Sequence, residues 1–299
     1  MPTHLPLLYV VVLNWNNPMD TLHCLECVAR SSYLQLQIVV VDNGSSDDSV
    51  VRIRTAFPDY TLLQNRTNLG YASGNNSGIH YSLKRGADYV VLLNNDAFVK
   101  PDTLSSLVLT AESDVTIAAA GCKVPFYDTP YRLWAAGEAF PHGLYPLDDG
   151  RFDTPRDITY AAGCCILLRR VALEQIGLLD PRFFCYFEEQ DWCLRATNAG
   201  YRIVYVPEAV VYHRVAASSG GFSPLYHYLF VRNYLYMSEK HGRVGLHIWR
   251  IHDALLVWLR ELLRIMMAPG PSRLRRAWAA TRGALDFFYG RFGVPPTGL

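Results

Sequence analysis

The run from Tyr89 to Leu93 is wholly apolar and stops at once on Asn94, Asn95 and Asp96, and no other feature of the chain constrains its fold as much. So continuous a run fits a strand buried on both faces. Its polar end would carry two amides and a carboxylate to the carboxyl edge of a sheet. Open α/β sheets bind ligands at that edge, and hard divalent cations take oxygen donors. Asn and Asp also favour turns. Taken alone, the segment therefore reads equally as a metal and phosphate site or as a plain exit from a strand.

Two more runs end the same way. LLYVVVLNWN, from Leu7, is too continuous for a half-exposed strand, and Asn17-Pro18 after it has the pattern of a helix N-cap and first helical position. Ile38 to Asp42 is a buried strand whose first polar residue is an acid. Gly44 and Ser45 then turn the chain, and Ser46 or Asp47 is placed to cap a helix running toward Phe57. Asp42 can accept from a base imide or a ribose hydroxyl, or tie its own turn to backbone N–H groups. Next comes NLGYASGNNSG, Asn68 to Gly78, where small residues would let a backbone approach a diphosphate. Its glycines are spaced G-x-x-x-G-x-x-x-G, which matches neither the dinucleotide fingerprint nor a P-loop.

Taken in order, VVLNWN, VVVDNGSSDDS, NLGYASGNNSG, VLLNNDAFVKPD, CYFEEQDWCLRATNAGY and VPEAVVYH resemble the family 2 glycosyltransferases over about Leu7 to His213. The LNND form of the fourth motif, the Arg232-Asn233 pair and the closing run GALDFFYGRFG resemble the bacterial rhamnosyltransferase-type branch. The resemblance implies an α/β GT-A fold, a mostly parallel sheet flanked by helices, with a C-terminal helical extension. It implies inverting transfer from a nucleoside-diphosphate sugar to a glycan or lipid-linked acceptor, assisted by Mg²⁺ or Mn²⁺. Asn14, Asp42, Asn68, Gly70 and Asn76 would then shape the nucleotide pocket, and Asn94 and Asn95 would line the ribose and metal edge. Asp96 and His213 would hold the cation. Trp134, Arg232 and Asn233 would serve the acceptor and diphosphate.

The general base is matched within CYFEEQDWCLR, where the family pattern is two acids, a variable residue and Asp. That puts the base at Glu189, with Glu188 beside it and Asp191 in the later acidic position. Glu stands here where the family more often has Asp. The residues alone also allow a plain structural account, because acids suit a helix's first turn and Asp191 and Arg195 are spaced to pair on its surface.

With half of 299 residues hydrophobic and 18% charged, the chain can bury a large core, and a net charge of +1 gives no nucleic-acid signal. The seven cysteines lie mostly in apolar runs and are expected to be reduced core thiols. No signal peptide is expected, so the expected location is the cytoplasm. The expected division is a domain of residues 1–221, its nucleotide half 1–124 and acceptor half 125–221, followed by helices over 222–299. Pro125 to Tyr160 reads as an irregular loop or hairpin over the cleft. His247 to Ala268 carries Arg250, Asp253, Arg260, Glu261 and Arg264, too many charges for a bilayer span. An amphipathic helix packed on the enzyme or a second subunit, and one lying in a membrane interface on the inner face of the cell membrane, are both open readings. A silent carbohydrate-binding relative and a sugar-nucleotide pyrophosphorylase are the competing functions. The second lacks its Gly-rich basic loop after strand one.

Overall fold

The computed structural model describes residues 5–141, 144–215, 223–242, 247–267 and 272–299; within these the side chains of 247–251 and 253, including Arg250 and Asp253, lie outside the description. The first part of the chain alternates strands and helices: β1 (Leu8–Asn14), α1 (Pro18–Ala29), β2 (Leu36–Asp42), α2 (Ser49–Ala56), β3 (Thr61–Gln64), α3 (Gly70–Lys84), β4 (Tyr89–Asn94), β5 (Ala97–Val99), α4 (Thr103–Ser113) and β6 (Ile117–Pro125). Short strands follow, β7 (Leu133–Ala136), β8 (Glu138–Ala139) and β9 (Arg156–Asp157). Then come β10 (Cys165–Arg169), α5 (Arg170–Ile176), α6 (Glu188–Asn198) and β11 (Arg202–His213), and the chain closes with α7 (Pro224–Lys240), α8 (His247–Met267) and α9 (Arg273–Phe288).

The sheet runs β3-β2-β1-β4-β10-β6-β11-β5. Neighbours β3, β2, β1 and β4 are parallel, as are β6 and β11, while β10 is antiparallel to both its neighbours and β5 is antiparallel to β11. It is thus the mostly parallel α/β sheet that the resemblance implies, with β10 and β5 running against their neighbours. The segment expected to be an irregular loop or hairpin holds a hairpin, β7 with β8, and joins this sheet through the pairing of β7 with β6. Arg202 to His213 is one strand with register shifts.

Register explains why the polar ends meet. Asn14 stands opposite Asp42, and Leu13 opposite Asn94, so three buried strands finish level. The pairing of β5 with β11 sets His213 opposite Ala97, beside Asp96. The glycines of α3 serve this layer. A Cβ on Gly74 would lie 2.7 Å from a Leu13 methyl, and one on Gly78 would lie 2.3 Å from a Val11 methyl. They let α3 lie against β1, so these two approach the sheet, where the sequence suggested a diphosphate.

The chain divides into two compact units: residues 1–179 with 189–215, and residues 180–188 with 216–299. The sheet lies in the first. In the second, Phe183, Val231, Leu235, Ala254, Ile265 and Phe287 form a core. Gly283 brings α9 close to α7, since a Cβ there would meet the Tyr228 carbonyl at 2.4 Å. The division differs from the expected one at residues 180–188, which go with the C-terminal helices.

Candidate active site

The carboxyl edge of the first unit is a row of polar side chains bonded to one another. Asn95 Nδ2 donates to Thr21 Oγ1 at 3.0 Å, Thr21 Oγ1 donates to Asn14 Oδ1 at 2.7 Å, and Asn14 Nδ2 donates to Asp42 Oδ1 at 2.9 Å. The Ser45 N–H closes the row on Asp42 Oδ2 at 3.1 Å. Asp42 therefore ties its turn, which was its ordinary reading, and its carboxylate keeps lone pairs beyond these two bonds. Asn43 is a second hub: it donates to Asn68 Oδ1 and the Gly70 carbonyl and accepts from Asn65 Nδ2 and the Leu69 N–H. Gly70 sits at φ +80°, a conformation that favours glycine, and its N–H is held by Asn68 Oδ1 at 2.8 Å. Neither Thr21 nor Asn43 was singled out from sequence. Thr21 lies one turn into α1, and nothing local marks it.

Asp96 and His213 are both nearly buried, 3% and 6% exposed, with His213 Nε2 3.2 Å from Asp96 Oδ1. The Trp134 ring stands edge-on to the imidazole at 4.7 Å between centroids. His213 Nδ1 is buried without a hydrogen-bond partner. Behind the pair, the Arg214 N–H donates to the Asp96 carbonyl at 2.9 Å, and its guanidinium pairs with Asp20 and lies 4.4 Å from the centre of the Tyr127 ring. Arg214 was also passed over in the sequence, although it follows the histidine directly.

Glu189 lies near the start of α6, against Gly163, where a Cβ would come 3.4 Å from the Glu189 carboxyl carbon. Burial pushes its carboxyl up to about 7, and the N–H groups of Glu189, Gln190 and Gly163 pull the other way without overcoming it. Its Oε2 is shielded from solvent and has no hydrogen-bond partner. Gly163 is held in turn by Tyr71, whose hydroxyl donates to its carbonyl at 2.5 Å. Glu189 and Asp96 both act on Cys164, the residue after Gly163. Cys164 accepts the Asn94 N–H through its carbonyl at 2.9 Å. Its thiol is pushed well up by burial and by nearby negative charge, including both Asp96 and Glu189.

Four of the expected site residues have other work. Asp191 is fully buried and pairs with Arg195 at 2.9 Å, so this ion pair is internal and not on the helix surface. Asn76 is bonded at both ends to the backbone of Leu179, its Nδ2 to the carbonyl at 2.8 Å and its Oδ1 to the N–H at 3.2 Å. Arg232 and Asn233, expected near acceptor and diphosphate, are fully buried in the second unit. Arg232 reaches the carbonyls of Gly293 and Phe183, and Asn233 donates to those of Phe183, Cys185 and Tyr186. Asn76, Arg232 and Asn233 hold backbone directly, and Asp191 pairs with Arg195, which donates to the Ile176 and Leu178 carbonyls. Glu188 is buried at the first position of α6. All seven cysteines are free.

The mostly parallel α/β sheet flanked by helices is a GT-A fold. The mannosyltransferase PcManGT from Pyrobaculum calidifontis, solved with GDP-Man and Mn²⁺, superposes with a TM-score of 0.60 at 16% identity, over 97% of this chain and 89% of that one. The family model for glycosyl transferase family 2 matches residues 9–177. The chain belongs to glycosyl transferase family 2, and is a hexosyltransferase. Its relatives include the low-salt glycan biosynthesis hexosyltransferase Agl10 of Haloferax volcanii, 27% identical over 76% of this chain and 73% of the relative. Another is the N-acetylglucosaminyl-diphospho-decaprenol L-rhamnosyltransferase of Mycobacterium tuberculosis, 25% identical over 81% and 87%.

Proposed function

We propose that the chain moves a sugar from a nucleoside diphosphate to a hydroxyl of a glycan or lipid-linked acceptor, with inversion, and that Glu189 is the base. The observation that carries this reading is Glu189 itself: a carboxylate with an unpartnered oxygen, raised to about 7, on the edge that also holds Asp96 and His213. A general base works best with a pKa near the operating pH. Glu189 Oε2 takes the acceptor proton as the acceptor oxygen attacks the anomeric carbon. Asn14, Asp42, Asn68 and Gly70 form the wall offered to the nucleotide, with Asn94 and Asn95 beside them. Trp134 offers an apolar wall for a sugar.

Asp96 and His213 fit a divalent cation. Their facing atoms are 3.2 Å apart, close to the roughly 3 Å between neighbouring ligands of an ion bound at about 2.1 Å. Among the described residues no group of three His, Cys, Asp or Glu comes together, so diphosphate oxygens and water would complete the shell. When bound, Mg²⁺ or Mn²⁺ neutralises charge developing on the leaving diphosphate. The relative named for L-rhamnosyl transfer to a decaprenol-linked sugar makes a rhamnosyl nucleotide and a lipid-linked glycan the first donor and acceptor to test.

The test is a thermal-shift screen of nucleotide sugars with and without Mn²⁺ or Mg²⁺, followed by transfer assays, because a ligand of the folded state raises apparent stability by mass action. Asp96→Ala is expected to keep the fold and lose the metal-dependent part of the shift. Unchanged donor affinity in Mn²⁺ would overturn the metal assignment. Metal-dependent donor binding without hydrolysis or transfer to any acceptor would point to a silent binding relative.

A further inference from the structure

The second unit presents an apolar surface that its own core does not use. On α8, Ala254 and Ile265 are buried, whereas Leu255, Leu256, Leu259, Leu263, Met266 and Met267 are 39–80% exposed. At about 100° per residue those six fall within a sector of roughly 120°. They therefore form one stripe along the side of α8 turned from the core. On α9, Leu274 is 87% and Trp278 61% exposed, and α9 is joined to α8 by Trp258 Nε1 donating to Thr281 Oγ1 at 2.9 Å. Soluble monomers rarely leave so much contiguous apolar surface in water.

Among the described side chains of α8 and α9, the exposed charges have one sign. Arg260, Arg273 and Arg275 are exposed, while Glu261 and Asp286 are buried at 3% and 4% exposure. Glu261 is engaged by His227, and Asp286 accepts from the Tyr228 hydroxyl at 2.9 Å. Among the described side chains of the two helices, the exposed charges are therefore all basic. A second copy packed on this face would bring its own arginines against these, with Glu261 and Asp286, the acids among the described side chains of the two helices, already buried and engaged. An anionic lipid surface answers both features, since acyl chains take leucine and methionine, headgroups take arginine, and tryptophan favours the boundary between them. No described helix is long and apolar enough to cross a membrane, so such contact would be interfacial.

We propose that the exposed stripe of α8 with Arg260, together with Arg273, Arg275 and Trp278 on α9, seats the protein on an anionic lipid surface. The proposal does not rest on the transfer reaction, because binding to lipid requires neither donor nor acceptor. It is tested by flotation of the full chain with phosphatidylcholine vesicles, with and without phosphatidylglycerol. The wild type is expected to float with the anionic vesicles, and to float less as salt rises. Leu259→Glu with Leu263→Glu changes only exposed positions; it should melt like the wild type and stay in solution. Arg260→Gln, Arg273→Gln and Arg275→Gln together should weaken binding to anionic vesicles by about fivefold per arginine. A wild type that ignores both vesicles overturns the proposal, as does a leucine double variant that floats normally. So does a dimer in solution that the leucine double variant dissociates, with no vesicle binding, which would assign the stripe to a second copy.

Discussion

Two clusters of buried polar side chains, one in each unit, are treated in opposite ways. In the second unit Arg232 and Asn233 are fully buried, and their donors go to the carbonyls of Arg182, Phe183, Cys185, Tyr186 and Gly293, to the Tyr228 hydroxyl or, for Arg232 Nε, to Asn233 Oδ1. In the first unit Glu189 Oε2 and His213 Nδ1 are shielded from water with no partner. An unsatisfied buried polar atom costs about 1–3 kcal/mol, and more if charged. Such atoms are open to a partner that a bound ligand can supply, whereas a saturated network fixes backbone. The segment that Asn233 grips bears this out, for Phe184, Tyr186 and Phe187 all have φ between +66° and +76°. Bulky residues hold that conformation only when their surroundings enforce it.

The sharpest way to break the comparison is at Glu189. Glu189→Gln should keep donor binding and cut transfer by about 10²–10⁴-fold, the usual worth of a general base. Glu189→Asp should keep part of the rate, since a carboxylate remains and only its reach changes. Glu188→Gln should be milder than either substitution at 189, and a dead Glu188→Gln with a normal Glu189→Gln would move the base by one residue. The pH dependence follows from the raised carboxyl. Transfer should rise with pH through about 7 as Glu189 loses its proton. Stability should move the other way. Between about 4.5 and 7 the folded protein holds a proton that the unfolded chain has released, so this group's contribution favours folding at the acid end and is lost as pH rises. Melting curves across that window should show the loss in the wild type and not in Glu189→Gln.

Next in size is the saturated network. Asn233→Ala takes a donor from three carbonyls at once and should cost about 3 kcal/mol or more, read by denaturant melts. Donor affinity of the protein that remains folded should be unchanged. Lost donor binding in a well-folded Asn233→Ala would return that residue to the ligand site.

The smallest effect is expected at Tyr71, which acts on Glu189 through Gly163. Tyr71→Phe removes one hydrogen bond, worth about 1 kcal/mol, and should slow transfer by severalfold with little change in KM. It should also raise the midpoint of the pH–rate limb, because a looser Gly163 N–H holds the carboxylate less well. An unchanged midpoint would reduce Tyr71 to a packing residue.

Much of the first unit could be read along the chain. Buried parallel strands have a local signature, a continuous apolar run that ends on the first tolerable polar residue, so β1, β2 and β4 and their polar tips were legible one at a time. The Glu189 and His213 assignments came from matching ordered motifs, which works because the order of strands and helices sets which segments reach one edge. What a polar residue does once there was not legible. Asn76 and Asn14 are both amides in ligand-like motifs, yet one holds the backbone of Leu179 and the other bridges Thr21 and Asp42. Hydrogen-bond partners so far apart in sequence are chosen by packing, and no local pattern encodes them. For the same reason Arg232, Asn233 and the closing glycines looked like marks of a site, when they are one buried assembly in which Arg232 reaches the Gly293 carbonyl at 2.9 Å. Period and run length determined the first strands and helices and their polar edge from sequence alone, and the order of the motifs supplied the mostly parallel sheet. Only the tertiary structure decided which buried polar atoms are satisfied, because satisfaction depends on register and close packing between distant segments.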